Sequence, residues 1–343
     1  VNKVGGAVAV LAVAVLGLSA CGSGDPATDQ SPEAAELVVY SGRSEELVGP
    51  LIEQFEAASG VQAEVRYGDT AELAAQLLEE GDNSPADIFF AQDAGALQVI
   101  EDEGLATALP ADVVKKVPAN FRSADDQWVG TSGRARVIVY NTDLVPAEEV
   151  PDTVFELVDP RWKGQVGIAP TNASFQAFVT AMRVSVGEER TKQWLEALIA
   201  NDVQTFENNL AILDAVNAGT VELGLANHYY LYEKAAEVGA ENLAVRNAAF
   251  QPGDPGNLVN VAGAAVLASG ADNATSEQFV DFLLSDEAQE YFAEETSEYP
   301  LVEGIAARED LPPLSQIDGP DLTLDQLADL RGTQDLLIQV GLL

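Results

Sequence analysis

The chain has 343 residues, with 56 Asp and Glu against 17 Lys and Arg, a formal net charge of -39, and 47% hydrophobic residues. That is enough apolar material for a sizeable core, and the length suits two domains rather than one. The lack of basic patches disfavours nucleic acid or anionic lipid as a partner, and the acidity brings a general attraction for cations.

The first residues have the form of an export signal. Lys3 is the only early charge, and the apolar stretch from Val4 to Leu18 is shorter than the ~20 residues a membrane span needs but suits a signal peptide. Leu18-Ser19-Ala20-Cys21 resembles a lipobox, so residues 1–20 read as a lipoprotein signal peptide and Cys21 as the lipidated first mature residue. Cys21 is also the only cysteine, which rules out a disulfide within one chain. Residues 21–36, rich in Pro, Ser, Gly and acids and without apolar periodicity, read as a flexible tether. The expectation is a protein held on the extracytoplasmic face of the cell membrane by a lipid anchor alone.

Strands and helices then alternate. Leu37–Tyr40 reads as a buried strand, Ser44–Ser59 as a helix closed by Gly60, and Val61–Tyr67 as a second strand. Asp69 or Thr70 caps a helix ending at Gly81, Ala86–Ala91 is a third strand, and Asp93 caps the helix after it. This order predicts an α/β fold with a mainly parallel sheet. No glycine-rich phosphate motif follows the first strand, which argues against a dinucleotide site.

Trp128–Asn141 is a long β-like stretch and the expected crossing between two lobes. A second α/β set follows, with strands at Gln165–Ala169, Val203–Phe206 and Val221–Ala226, and helices at Ser174–Val186, Thr191–Ala200 and Leu210–Ala218. Thr171, Asn172, Ala173 and Ser174 lie before the first of these helices, where free backbone N–H groups and the positive helix end favour an anion. Strands at Leu243–Asn247 and Asn257–Leu267 come next; the second returns the chain to the first lobe, and helices at Ser276–Glu294 and the C-terminus finish it. Two α/β lobes joined by more than one crossing form a hinged clamp around a cleft.

The stretch Asn227-His228-Tyr229-Tyr230 stands where a strand runs into a helix, and ligands of α/β sheets bind there. Two adjacent tyrosines stand about 100° apart on a helix and cannot share a packing face, but at its very start both hydroxyls can converge. Phenolate is a hard oxygen donor, and a highly charged cation can displace its proton, so Tyr229 and Tyr230 point to a ferric site. Two phenolates cancel only two of the three ferric charges, which leaves room for an anion. Arg43 and Arg134 are candidate cations to hold it, and His228, the only histidine, is a further candidate for the metal or the cleft.

The runs VVYSGRSEEL, FEAASGVQ, LLEEGDNSPADIFFAQDA, SGRARVIVYN, RWKGQVGIAPTNASF, NHYYLYEKA, GNLVNVAGAAVL, FVDFLLS and EYPL carry a resemblance. From about residue 36 to its end the chain resembles the ferric-ion-binding proteins of bacterial ABC importers. The resemblance implies the type II periplasmic-binding-protein fold, with lobes at 37–135 plus 260–310 and at 136–259 plus 311–343. It implies Fe3+ as the transported ligand, an ABC permease and its ATPase as partners, a monomer, and no enzymatic activity. Some members place a histidine where this chain has Ser44, a glutamate where it has Gln92, and a third tyrosine where it has Ser174. One class holds a synergistic phosphate or carbonate with asparagines that match Asn209 and Asn227; citrate is a third candidate. Relatives of the fold also take thiamine, polyamines or other solutes including ferric chelates, and tyrosines can cage an organic cation.

Overall fold

The computed structural model describes residues 36–343. The signal peptide, Cys21 and almost all of the tether lie outside the described residues. Among the described residues no helix is long and apolar enough to cross a membrane.

Among the described residues ten strands and eleven α-helices follow in order. The first group is β1 (Glu36–Ser41), α1 (Glu45–Ser59), β2 (Gln62–Tyr67), α2 (Thr70–Glu80), β3 (Ile88–Ala91), α3 (Ala94–Asp102) and the short α4 (Ala111–Val114). The long β4 (Val129–Asn141) leads to β5 (Val166–Ile168), α5 (Ala173–Val186), α6 (Glu188–Ala200), β6 (Gln204–Thr205), α7 (Asn209–Asn217), β7 (Leu223–Asn227) and α8 (Tyr230–Val238). The chain closes with β8 (Val245–Ala248), β9 (Val259–Val266), α9 (Ala274–Leu283), α10 (Asp286–Glu294), β10 (Tyr299–Pro300) and α11 (Leu330–Val340).

The helix ends follow local chemistry. Asp69 accepts from the N–H groups of Ala71 and Glu72 at the start of α2, and Asp93 accepts from Ala96 N–H at the start of α3. Gly60 ends α1 at φ 74°, a left-handed conformation that costs glycine little. The long helix expected over 276–294 is two helices. Ser285 accepts from Ala288 N–H and starts α10 afresh, so the run breaks at Leu284.

The strand order is β2-β1-β3-β9-β4-β7-β5-β6, with β10 and β8 also pairing with β4. The sheet is mixed rather than mainly parallel. β1, β2 and β3 are parallel to one another, as are β5, β6 and β7, but β4 and β9 run against their neighbours because they carry the chain between lobes. β4 is central to both halves. Its Val129–Ala135 stretch pairs with β9, and from Arg136 onward it pairs with β7. The partner changes between Ala135, opposite Val259, and Arg136, opposite Asn227. Each half has its own aromatic core: Phe55 and Phe90 close on Phe279 on one side, and Phe178 closes on Phe175 and Trp194 on the other. Each such ring, fully buried, contributes roughly 1.5–3 kcal/mol. Helix α11 docks on the second half, where Thr333 and Thr180 hydroxyls meet at 2.7 Å and Arg183 pairs with Asp329.

Candidate metal-binding site

β7 delivers the tyrosine pair. Tyr229 is the N-cap of α8 and Tyr230 its first residue, with rings 4.2 Å apart and inclined by 30°. Tyr229 is fully buried, yet its hydroxyl has no hydrogen-bond partner. An orphaned buried hydroxyl costs ~1–3 kcal/mol, so a folded chain keeps one only for a reason. Burial pushes the Tyr229 pKa well above 10 and Tyr230 adds to the rise, while the guanidinium groups of Arg134 and Arg43 pull it down. Without a ligand Tyr229 is therefore a neutral phenol with cations beside it.

Both tyrosines face a cleft of about 210 Å³ whose other wall includes Arg43, Ser44, Asp69 and Gln92. Gly42 fixes that wall. A Cβ there would lie 1.9 Å from Thr70 Oγ1, and this hydroxyl donates to Gly42 O and accepts from Gln92 N–H. The turn after β1, the start of α2 and the end of β3 are thus tied to one another. Ser44 precedes α1 but makes no capping bond, so its hydroxyl is not spent on the helix.

Three buried arginines surround the pair. Arg43 forms an ion pair with the buried Glu298 at 2.8 Å. Arg134 lies 3.9 Å from the same carboxylate, and none of its three side-chain nitrogens has a hydrogen-bond partner. Arg136 donates to Ser174 Oγ, Asn227 Oδ1 and Leu225 O, and sits over the rings of Phe175 and Phe178. Burial, with a smaller push from Arg134, lowers its pKa to about 9 against the pull of Tyr230 and Tyr229. Two phenolates beside these arginines and Glu298 would bring the cluster to formal neutrality.

At the start of α5, Asn172 Oδ1 accepts from Ser174 N–H, from Ser174 Oγ at 2.6 Å and from Asn209 Nδ2. Asn209 Nδ2 also reaches Ser174 Oγ, and its own Oδ1 has no partner. Arg136 therefore links Asn172, Ser174, Asn209 and Asn227 in one network.

A model of bacterial extracellular solute-binding proteins matches residues 83–318. The major ferric iron-binding protein of Neisseria meningitidis serogroup B is 32% identical over 320 residues, covering 92% of this chain and 96% of the relative. The Fe(3+)-binding periplasmic protein of Serratia marcescens is 30% identical over 308 residues, 90% of each chain. The chain belongs to the ferric-ion-binding family of extracellular solute-binding proteins. Iron-bound HitA from Pseudomonas aeruginosa has the same architecture, with a TM-score of 0.86 and 32% identity over 90% of this chain and 99% of that one. A Trichodesmium protein solved with iron and citrate follows at a TM-score of 0.77 and 28% identity, covering 89% of this chain and 99% of that one. Members of this family are binding proteins, not enzymes.

Set in this ferric-binding fold, the candidate residues fall into groups. Tyr229, Tyr230, Arg43, Ser44 and Gln92 meet in one cleft. His228 does not join them. Its Nδ1 accepts from Ala135 N–H at 3.2 Å and its Nε2 lies 2.9 Å from Ser297 O, so neither nitrogen is free to bind a metal. Burial lowers its pKa to about 4 and keeps it neutral. The open anion cradle expected at 171–174 also differs. Asn172 is a strong N-cap and takes Ser174 N–H, Asn172 O takes the N–H groups of Phe175 and Gln176, and Thr171 is exposed. Sequence reasoning missed Arg136. The signal was there: it stands two positions after Arg134 on a strand, hence on the same face.

Proposed function

We propose that this chain captures ferric ion in the cleft on the phenolates of Tyr229 and Tyr230, together with an anion, and delivers it to the permease of an ABC importer. The observation that carries the reading is the buried, unpartnered hydroxyl of Tyr229, in ring contact with Tyr230 and next to the Arg134 guanidinium, which makes no hydrogen bond. Among the described residues no group of three or more His, Cys, Asp or Glu could hold a metal. A metal here would draw on the phenolates and on donors from outside the chain. From the opposite wall Ser44 and Gln92 offer neutral oxygen, and the carboxylate of Asp69 is engaged by the N–H groups of Ala71 and Glu72, so most strong contacts come from the tyrosine side. A trivalent ion beside three arginines needs an anion between them; we assign it to Arg134 and Arg136 with Ser174, Asn209 and Asn227, a reading supported by the Arg134 nitrogens and the Arg136 Nε that lack hydrogen-bond partners. Carbonate, phosphate and citrate all fit that charge logic, and the Trichodesmium relative carries iron with citrate. An organic cation such as thiamine or a polyamine would meet the same arginines without compensation, which favours iron.

The protein works as a monomer outside the cytoplasm, held by a lipid on Cys21, and its lobes at 37–135 plus 260–310 and at 136–259 plus 311–343 close over the ion. Its partners are the permease and its ATPase. The test is a ferric titration after dialysis against carbonate, phosphate, citrate or no added anion. Affinity should differ strongly among the four; equal affinities would overturn the role of the anion.

A further inference from the structure

The geometry points to His228 as the positioning residue of the tyrosine pair, a splint that fixes Tyr229 against the first lobe through two hydrogen bonds. The inference rests on the ferric reading above. His228 stands where the β4–β7 ladder ends: the last backbone pair is Arg136 with Asn227, and β4 then turns to β9. At this point the imidazole takes the place of a backbone acceptor. His228 N–H donates to Ala135 O at 3.0 Å, and Ala135 N–H donates back to Nδ1 at 3.2 Å. With Nδ1 an acceptor, the neutral ring carries its hydrogen on Nε2 and donates to Ser297 O at 2.9 Å.

Ser297 belongs to a segment that is itself tightly held. Its backbone lies at φ 56°, a left-handed conformation that persists in a serine only where the surroundings over-determine it. The next residue, Glu298, binds Arg43 of the opposite cleft wall, and Tyr299 joins the first-lobe sheet opposite Gly133. The Tyr299 ring lies 4.8 Å from the imidazole, and the imidazole meets the Tyr229 ring edge-on at 5.8 Å. One side chain thus connects the strand that changes lobes, the segment that holds Arg43, and the first residue of the metal-binding pair. Asn247 Nδ2 secures the carbonyl of His228 at 2.8 Å from β8. The phenolate pair can then be set to within a fraction of an ångström relative to the first lobe, as a site built on packed elements requires.

Three substitutions in the full mature chain test this. His228→Phe keeps a ring but neither hydrogen bond; His228→Asn restores an acceptor near the place of Nδ1; His228→Gln restores a donor near the place of Nε2. The readouts are the visible band of the ferric-loaded protein, ferric affinity by chelator competition, and thermal unfolding of the iron-free form. His228→Phe should lose at least about tenfold in affinity with a shifted or weakened band, and His228→Asn or His228→Gln should recover part of both. If His228→Phe keeps the wild-type band and affinity and changes only the unfolding temperature, the histidine is mere packing and the inference is wrong. Should His228→Phe not fold, wild-type band and affinity in both His228→Asn and His228→Gln would overturn it equally. A wild-type protein with no band overturns the ferric reading first, and this inference with it.

Discussion

Arg43 and Glu298, 255 positions apart in the chain, form an ion pair at 2.8 Å with both side chains buried. Glu298 also accepts from Ser132 Oγ at 2.8 Å and from Thr296 Oγ1 at 3.3 Å, so its charge is met from several sides. Removing one partner of such a pair strands the other charge in a low dielectric. Glu298→Gln should therefore destabilise the iron-free protein by roughly 3 kcal/mol, read from denaturant unfolding. An unchanged midpoint would contradict the account of this pair.

Tyr229 predicts a conflict between stability and function. Its hydroxyl is buried without a partner, so Tyr229→Phe removes an unsatisfied polar group. The iron-free variant should be as stable as wild type or up to ~1 kcal/mol more so. The same change deletes a ligand and should cost about 100-fold or more in ferric affinity, equivalent to ~2.7 kcal/mol. Tyr232 packs under Arg308 and donates to Asp310 O, and Tyr232→Phe should leave affinity within about threefold. Thermal unfolding and chelator competition on the same samples decide both halves.

Arg134 has the most unused donors of the three arginines, since none of its side-chain nitrogens is hydrogen-bonded. Arg134→Met replaces a buried guanidinium, which has no hydrogen bond and only a 3.9 Å approach to Glu298, with an apolar chain of similar length. Iron-free stability should rise by ~1 kcal/mol or more, while the advantage of added anion in ferric binding should shrink. A variant that retains the full anion dependence would shift the anion site to Arg136 alone.

The pH dependence of the iron-free protein should carry the mark of Glu233. Burial and the nearby Glu298 raise its pKa from 4.5 to about 7, against the pull of Arg43. The folded state then binds a proton that the unfolded state has lost, so stability falls as pH rises from about 4.5 through about 7. The loss is on the order of 2–3 kcal/mol. His228 contributes with the opposite sign, because its folded pKa of about 4 lies below 6.5 and its contribution fades as pH falls through that window. Comparing wild type with Glu233→Gln cancels the histidine. The difference in stability should grow from pH 4.5 to 7, and a constant difference would contradict the assignment.

The sequence was most informative where local rules dominate. The alternation of strands and helices, the caps at Asp69 and Asp93, the crossing strand over 128–141 and the tyrosine pair were all readable from composition and spacing. The break at Leu284 was readable too, since Ser285-Asp286-Glu287 is a helix start, but the apolar period ran through it. Arrangements made by distant segments were not readable. Nothing near Arg43 announces Glu298, and nothing near His228 announces that Ala135 and Ser297 take both of its nitrogens. The mixed sheet was missed for a related reason, because strand direction follows from how β4 and β9 cross between lobes, not from their residues.

If Tyr229 and Tyr230 bind ferric ion as phenolates, the bound ion must be coloured. The most direct measurement is the visible spectrum of the mature protein loaded with one equivalent of ferric ion in the presence of carbonate or citrate, beside Tyr229→Phe and Tyr230→Phe. The expected result is an orange to red colour from a phenolate-to-iron charge-transfer band, weakened by either substitution and abolished by both. Stoichiometric binding of ferric ion by the wild-type protein without such a band would contradict it.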